Sequence, residues 1–353
     1  MDGTGQELGT LEELPPDYVD QLTKQYAAPA WPSLRDIIPY DRPVCRTQPH
    51  IWRYADLRPL LMRAGELTPM EKAERRVLML SNPGLEPAPF ATAGIFFGLQ
   101  LILPGEMAPN HKHSPSAVRL IVEGEGGTTT VEGERCPMEK GDVILTPSGL
   151  WHEHEHLGAG PMIWLDALDA PVVVPLEASY CVAGTPQRPG NQPDASQTRY
   201  RRSGLVPYDG LGRPANDYPL KRYPWVEVRA ALLDMAAGAG SADPVHLAYV
   251  NPETGHECMP ILGFSAIMLR PGEERRLPRR SASTGYLAVE GEGETEIDGT
   301  SMSWQENDVF VGPTHAAIRH RNGSSKNPAF LIQVDEGPMQ RKLGYYEEFE
   351  ITD

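Results

Sequence analysis

Gly105-Glu106-Met107-Ala108-Pro109-Asn110-His111-Lys112-His113, answered further on by Gly141-Asp142 and by Pro147-Ser148-Gly149-Leu150-Trp151-His152, decides how this chain is read. Successive side chains of an extended strand alternate faces, so His111 and His113 project to the same side. Two imidazoles on one face can grip one cation, and His152 completes a set of three once the chain returns. The sequence between them is rich in turns and short apolar runs, which suits a small antiparallel barrel closing on itself. The alternation resumes in Trp151-His152-Glu153-His154-Glu155-His156, where the three histidines share a face and the glutamates point away. Three neutral imidazoles suit iron, zinc, copper or nickel on ligand type alone.

The spacing Gly105-x5-His111-x-His113, then Gly141-x5-Pro147-x-Gly149-x-x-His152, resembles the two motifs of the cupin superfamily. With Gly98-Leu99-Gln100-Leu101-Ile102-Leu103-Pro104-Gly105-Glu106 before it and Trp164-Leu165-Asp166 after, the run is similar to the gentisate 1,2-dioxygenase group, which includes salicylate and 1-hydroxy-2-naphthoate ring-cleaving enzymes. Most metal cupins carry a glutamate ligand after the HxH pair. Here that region reads Ser116-Ala117-Val118-Arg119, and an all-histidine site is how the group differs. The resemblance implies Fe(II), one per subunit in the first cupin domain, with O2 as co-substrate. It implies cleavage between the carboxyl- and hydroxyl-bearing carbons of a 2-hydroxybenzoate in aromatic catabolism: gentisate, a substituted salicylate such as a 5-substituted one, or 1-hydroxy-2-naphthoate. Such a substrate chelates through its carboxylate and hydroxyl, and a facial set of three ligands leaves room for both groups and for O2. The alternative is a non-enzymatic bicupin binding a small carboxylate, against which the complete motif argues. A zinc isomerase or hydrolase would keep the ligands but has no need of so many open positions.

Further residues follow from parity or from the resemblance. His154 shares the face of His152, and we assign it as an acid/base group near the phenolic oxygen. Arg119 shares parity with His111 and His113, so on a regular strand it points inward, where a guanidinium needs an anionic partner. The substrate carboxylate or a structural ion pair would supply one. The resemblance points to Arg75 as a further carboxylate clamp, although Arg76 beside it is an equal candidate. Gln100 suggests an inward hydrogen bond, Gly98 leaves room for the ring, and Asp166 matches a family position that could orient a histidine or a ring substituent. Phe96 stands where the family often carries Trp or Tyr, which opens room for salicylates with another substituent. His156 is expected at the rim, without a role.

At 353 residues, two domains are expected. The motif pieces repeat: Pro104-Gly105-Glu106 and Pro271-Gly272-Glu273, Val122-Glu123-Gly124-Glu125-Gly126 and Val289-Glu290-Gly291-Glu292-Gly293, both 167 residues apart. The fold class is therefore mainly β, a bicupin of two jelly-roll-like β-barrels with an N-terminal helical arm. The arm covers 1–76, the metal-binding cupin 77–174, a linker 175–224 and a second cupin 225–353. Pro278, Arg280 and Ile318 replace the three ligands in the second barrel, which has no metal site; His315 and His320 are left for surface or interface roles. In the arm, Leu14, Tyr18 and Leu22 sit at helical spacing, Gly65 reads as a helix stop, and Thr68-Pro69-Met70-Glu71 as a capping box. The linker, including Pro189-Gly190-Asn191, shows no periodicity. A further helix is expected from Trp225.

A formal charge of −16 argues against nucleic acid and anionic membrane, and local arginines must attract an anionic substrate. No apolar run is long enough to span a bilayer. The start, Met1-Asp2-Gly3-Thr4-Gly5-Gln6-Glu7, lacks the marks of a signal peptide, and Cys45, Cys136, Cys181 and Cys258 form no framework, so a cytoplasmic homo-oligomer, a tetramer by family resemblance, is expected.

Overall fold

The computed structural model describes residues 9–40, 42–188, 193–202, 204–208, 214–240 and 243–349, so Met1–Glu7 and Pro189–Asn191 lie outside the described residues. Met1–Arg46 forms one compact unit, in which the helix Pro16–Lys24 begins on proline, whose fixed φ suits the first helical turn. No residue of that helix is buried. Thr47–Asp353 forms the other unit and contains both barrels.

The first barrel faces a six-stranded sheet with a five-stranded one. The first runs in the order Arg222–Tyr223, Val143–Thr146, Ala117–Glu123, Met162–Leu168, Phe96–Ile102, Val77–Met79; the second in the order Cys181–Ala183, Met107–His113, His152–His156, Gly127–Val131, Glu134–Met138. The large sheet is buried on both faces, and its two parities have different neighbours. Leu99, Leu101, Val118, Leu120, Ile163 and Leu165 join Leu287, Val289, Phe264 and Ile332 of the second barrel in one core between the barrels. Ile102, Ile121, Ile144, Met162 and Trp164 point the other way and meet Ala108, Cys136 and Met138 inside the first barrel. This explains near-continuous apolar strands in an antiparallel sheet, which ordinarily alternate. By the same parity, the polar residues Gln100, Arg119, Thr146 and Asp166 belong to the interior of the first barrel.

The second barrel repeats the plan with strands Val245–Ala248, Gly263–Leu269, Thr284–Glu290, Val309–Gly312 and Ala329–Asp335 in its large sheet. Pairing registers align Gly127 with Gly293, Thr129 with Thr295 and His154 with His320, so the one-residue deletion falls at Gly126-Gly127. The repeated Pro-Gly-Glu is structural. Gly105 and Gly272 take φ of +79° and +70°, and Glu106 and Glu273 accept from the backbone N–H three residues earlier, each at 2.7 Å.

The duplication extends into the segments expected to be arm and linker, and there the reading needs correction. Each contains a short strand that leads into a 14-residue helix: His50–Trp52 into Tyr54–Leu67 within the arm, and Arg222–Tyr223 at the end of the linker into Trp225–Gly238, the helix expected from Trp225 at the start of the second cupin. The two strands are exchanged. His50–Trp52, preceding the first barrel, extends the sheet of the second; Arg222–Tyr223, preceding the second, extends the sheet of the first. Matching polar staples hold the exchange. Asp308 accepts from the Tyr54 N–H, and Asp142 from that of Trp225, both at 2.8 Å. Glu123 binds Tyr54 and Arg58, and Glu290 binds Trp225 and Arg229. Carboxylates with several donors each, Asp142 and Asp308 buried and Glu123 and Glu290 partly so, tie the barrels into one body. The linker also supplies Cys181–Ala183, paired with the HxH strand. Edge strands this short carry no periodicity, which is why they escape a sequence reading.

Two local expectations fail. The helix runs through Gly65 to Leu67, and a Cβ at Gly65 would lie 3.2 Å from both Leu101 and Leu103, so that glycine serves close packing against the barrel. Thr68 makes no capping bond; the short helix starts at Met70 behind Pro69.

Candidate active site

Adjacent strands bring His111, His113 and His152 together. Their ligand atoms lie within 4.8 Å of one another, and the ring centroids are 4.2, 4.8 and 5.2 Å apart. Each Nδ1 faces a backbone carbonyl two residues away: Pro109 at 3.2 Å, Pro115 at 2.5 Å and Leu150 at 2.9 Å. A neutral imidazole donating from Nδ1 presents a bare Nε2, and the backbone fixes that tautomer at His113 and His152; at His111 the Arg75 guanidinium also reaches Nδ1. His152 Nε2 is buried without a partner among the described residues. Burial, aided by neighbouring arginines, pushes His111 down to about 3 and holds His152 well below the usual range; His113 falls to about 4 mainly through burial. Three neutral, preoriented imidazoles converging on one point, His111 and His152 buried and His113 partly so, fit a divalent transition metal.

The tandem arginines part company. Arg76, nearly fully buried, makes a bidentate pair with Glu106 at 2.6 and 2.9 Å and serves the fold. Arg75 reaches the site: its Nη2 donates to the Pro109 carbonyl at 2.6 Å. His111 Nδ1 converges on the same oxygen, which brings the guanidinium against the imidazole. Arg119 is buried on the opposite sheet, donating to the Thr146 hydroxyl, which in turn donates to the Ala117 carbonyl at 2.9 Å. Its register partner is Asp166, but Nε and Oδ1 stand 3.7 Å apart, and both atoms lack hydrogen-bond partners among the described residues. The Asp166 carboxyl is pushed up to about 6 by burial, which the arginines offset only in part. Gln100 Nε2 is also buried and unpartnered. Arg75, Gln100, Arg119, His152, His154 and Asp166 thus all carry unsatisfied buried atoms, an arrangement that native interiors avoid away from functional sites.

His154 is fully buried, two residues from His152, with ring centroids 6.2 Å apart. The Thr129 hydroxyl lies 2.9 Å from its Nδ1 and 3.4 Å from the Met138 sulfur. The nitrogen is the stronger acceptor, so the ring proton sits on the unpartnered Nε2, which faces the interior as a donor. Thr129 was missed from sequence; its repeat Thr295, 2.8 Å from His320, was the available signal. His156 is not at the rim. It is buried, and its Nε2 clamps the Gly160 carbonyl at 2.5 Å, as Asn322 clamps Asn327 in the second barrel. Gly98 does not leave open space, because an added Cβ would lie 2.6 Å from Val77 and 3.0 Å from the half-buried Phe96 ring.

In the second barrel Pro278, Arg280 and Ile318 occupy the ligand positions, and Tyr286, Trp304 and Phe310 fill the interior. His320 is not on the surface but fully buried, while His315 lies 3.7 Å from Glu347.

Residues 98–168 match the family described as "Cupin domain". Over 97% of its length the chain is 49% identical to a gentisate 1,2-dioxygenase of Ralstonia sp, covering 96% of that protein. It is 38% identical to a 5-aminosalicylate 1,2-dioxygenase of Comamonas sp, over 93% of this chain and 88% of the other. Among solved structures, salicylate 1,2-dioxygenase from Pseudoaminobacter salicylatoxidans with gentisate superposes with a TM-score of 0.87 at 28% identity, covering 98% of this chain and 95% of that one.

Proposed function

The chain belongs to the gentisate 1,2-dioxygenase family and is a ring-cleaving dioxygenase, and we propose that it opens gentisate with Fe(II) held by His111, His113 and His152. The observation that carries this reading is the neutral three-imidazole cluster set beside two guanidiniums in a chain of charge −16. Ferrous iron bound there supplies the redox chemistry by which O2 attacks an aromatic ring. Everything else falls to the chain. Arg75 and Arg119 attract and orient the substrate carboxylate with donors that the fold leaves open. Gln100 donates to a ring substituent. His154 offers Nε2–H as a hydrogen bond to the phenolic oxygen, while Asp166 holds Arg119 in place. Phe96 covers Gly98 and forms an apolar wall. That wall lacks a polar handle, which favours 5-substituted salicylates and 1-hydroxy-2-naphthoate as second substrates.

The domain organisation proposed is a metal cupin over 77–174 and a metal-free one over 225–353. We further infer a cytoplasmic homotetramer; exposed Leu176, Tyr180 and Val182 support subunit contacts, and sedimentation measures them. Among the described residues no helix is long and apolar enough to cross a membrane. The test is anaerobic reconstitution with Fe(II), then oxygen uptake with gentisate, salicylate, 5-substituted salicylates and 1-hydroxy-2-naphthoate. Uptake is expected to be fastest with gentisate; none with any of the four rejects the reading.

A further inference from the structure

The strand that carries His111 and His113 does not pair regularly. Ala108 lies opposite His154 and His111 opposite His152, so three steps along one strand match two along the other. The extra residue is a β-bulge at Pro109-Asn110. The repeat strand of the second barrel has none: Arg275, Arg276 and Leu277 face His320, Arg319 and Ile318 in unbroken order. The irregularity accompanies the metal centre and not the barrel plan.

Its consequence is the aim of a ligand. Ala108 packs inside the first barrel, and regular alternation from there would turn Asn110 inward and His111 outward. The bulge reverses that order and brings His111 to His113 and His152. The Pro109 carbonyl, within the bulge, lies 3.2 Å from His111 Nδ1.

What holds the bulge comes from the linker. Asn110, nearly fully buried, accepts at its carbonyl from the Gly184 N–H at 2.8 Å and donates from Nδ2 to the Thr185 carbonyl at 2.6 Å. Its Oδ1 accepts from Gln187 Nε2 at 3.1 Å. Gln187 spends its other groups on the same sheet. Nε2 also donates to the Thr130 carbonyl at 3.0 Å, Oε1 accepts from the Gly133 N–H at 2.6 Å, and the backbone N–H reaches Glu153 at 3.1 Å. Since Glu153 sits between His152 and His154, one side chain staples the HxH strand to Gly127–Val131 across the strand that carries the third ligand. The strap has no room to drift, because an added Cβ at Gly184 would strike the Trp151 ring and lie 2.6 Å from Asn110 Nδ2.

We propose that Asn110 and Gln187 are positioning residues for the metal centre, pinning from the outer face of the sheet the bulge that aims His111. The proposal rests on the three-histidine metal reading above.

Titrating the metal-free chain with Co(II), followed by its visible absorption, reads the ligand set without turnover. Gln187→Leu and Asn110→Ala should each weaken Co(II) binding about 10- to 100-fold, the range for groups that orient metal ligands. The double variant should lose little beyond the worse single one, because both act on one bulge. Thr295→Val, which removes a hydrogen bond from the second barrel, should bind Co(II) like the wild type. Wild-type affinity in both single variants, additive losses in the double, or an equal loss in Thr295→Val would each overturn the proposal. If Asn110→Ala does not fold, Gln187→Leu decides alone. A wild type that binds no Co(II), or still binds it after His113→Ala, sinks the three-histidine reading and this proposal with it; binding that is lost with His113→Ala and untouched by Gln187→Leu sinks the proposal alone.

Discussion

Arg119 can either bind substrate or merely neutralise Asp166, and the two roles separate quantitatively. Arg119→Met removes a buried guanidinium whose partner is 3.7 Å away and not hydrogen-bonded to it. Breaking a tight buried ion pair costs about 3–5 kcal/mol. Here the loss should be smaller, because Asp166 already sits near 6 and can take a proton instead. At pH 7 that protonation costs about 1.4 kcal/mol, the worth of one pKa unit, and less once the arginine's field is gone. If Arg119 also binds the substrate carboxylate, a charge-assisted hydrogen bond of about 1.5–3 kcal/mol disappears, which lowers kcat/KM by roughly 10- to 150-fold. The assay pairs oxygen uptake with bound iron and urea unfolding, for Arg119→Met and for Arg119→Met/Asp166→Leu. The double variant should regain stability without regaining kcat/KM. Recovery of kcat/KM in the double variant, or loss of iron in the single one, would refute a substrate-binding role.

Other expectations are more direct. His113→Ala, or chelation of the wild type, should abolish iron content and oxygen uptake together, with Fe(II) restoring only the chelated protein. Thr129→Val frees the His154 ring and should lower kcat by up to about a hundredfold, the low end of what a positioned acid/base group contributes; Thr295→Val, its repeat, should cost about 1–2 kcal/mol in unfolding and leave kcat unchanged. Glu336, buried between Ser283 and Gln340, is raised by burial to about 7 from an ordinary 4.5, so its stabilising share is full below about 4.5 and is lost as pH rises through 7. Unfolding free energy measured at pH 6 and pH 8 should therefore fall less in Glu336→Gln than in the wild type, and an equal fall would assign the loss to other groups. Asp142→Ala and Asp308→Ala should each destabilise by about 1–3 kcal/mol, Asp142 leaving the Trp225 N–H unpaired and Arg222 with Asp194 and Glu139 alone, and Asp308 leaving the Tyr54 N–H unpaired and Arg53 without its carboxylate; a smaller loss would mean that water replaces the staple.

The sequence by itself determined the chemistry that depends on spacing. Strand alternation puts His111, His113 and His152 on one face, the repeated Pro-Gly-Glu and Val-Glu-Gly-Glu-Gly runs reveal a second barrel, and Pro278, Arg280 and Ile318 deny it the same metal. Inward parity was equally legible for Arg119 and Gln100, because a period of two survives any arrangement of neighbouring strands. What only the tertiary structure decided depends on residues far apart in the chain. Arg75 and Arg76 are indistinguishable as a tandem until Glu106 takes one and Pro109 receives the other. Thr129 is an ordinary strand threonine until His154 lies across from it, and His156 becomes a turn clamp only where Gly160 folds back. The exchange of His50–Trp52 and Arg222–Tyr223 between barrels left no trace in either segment, since an edge strand of two or three residues is held by the sheet it joins and not by its own preferences.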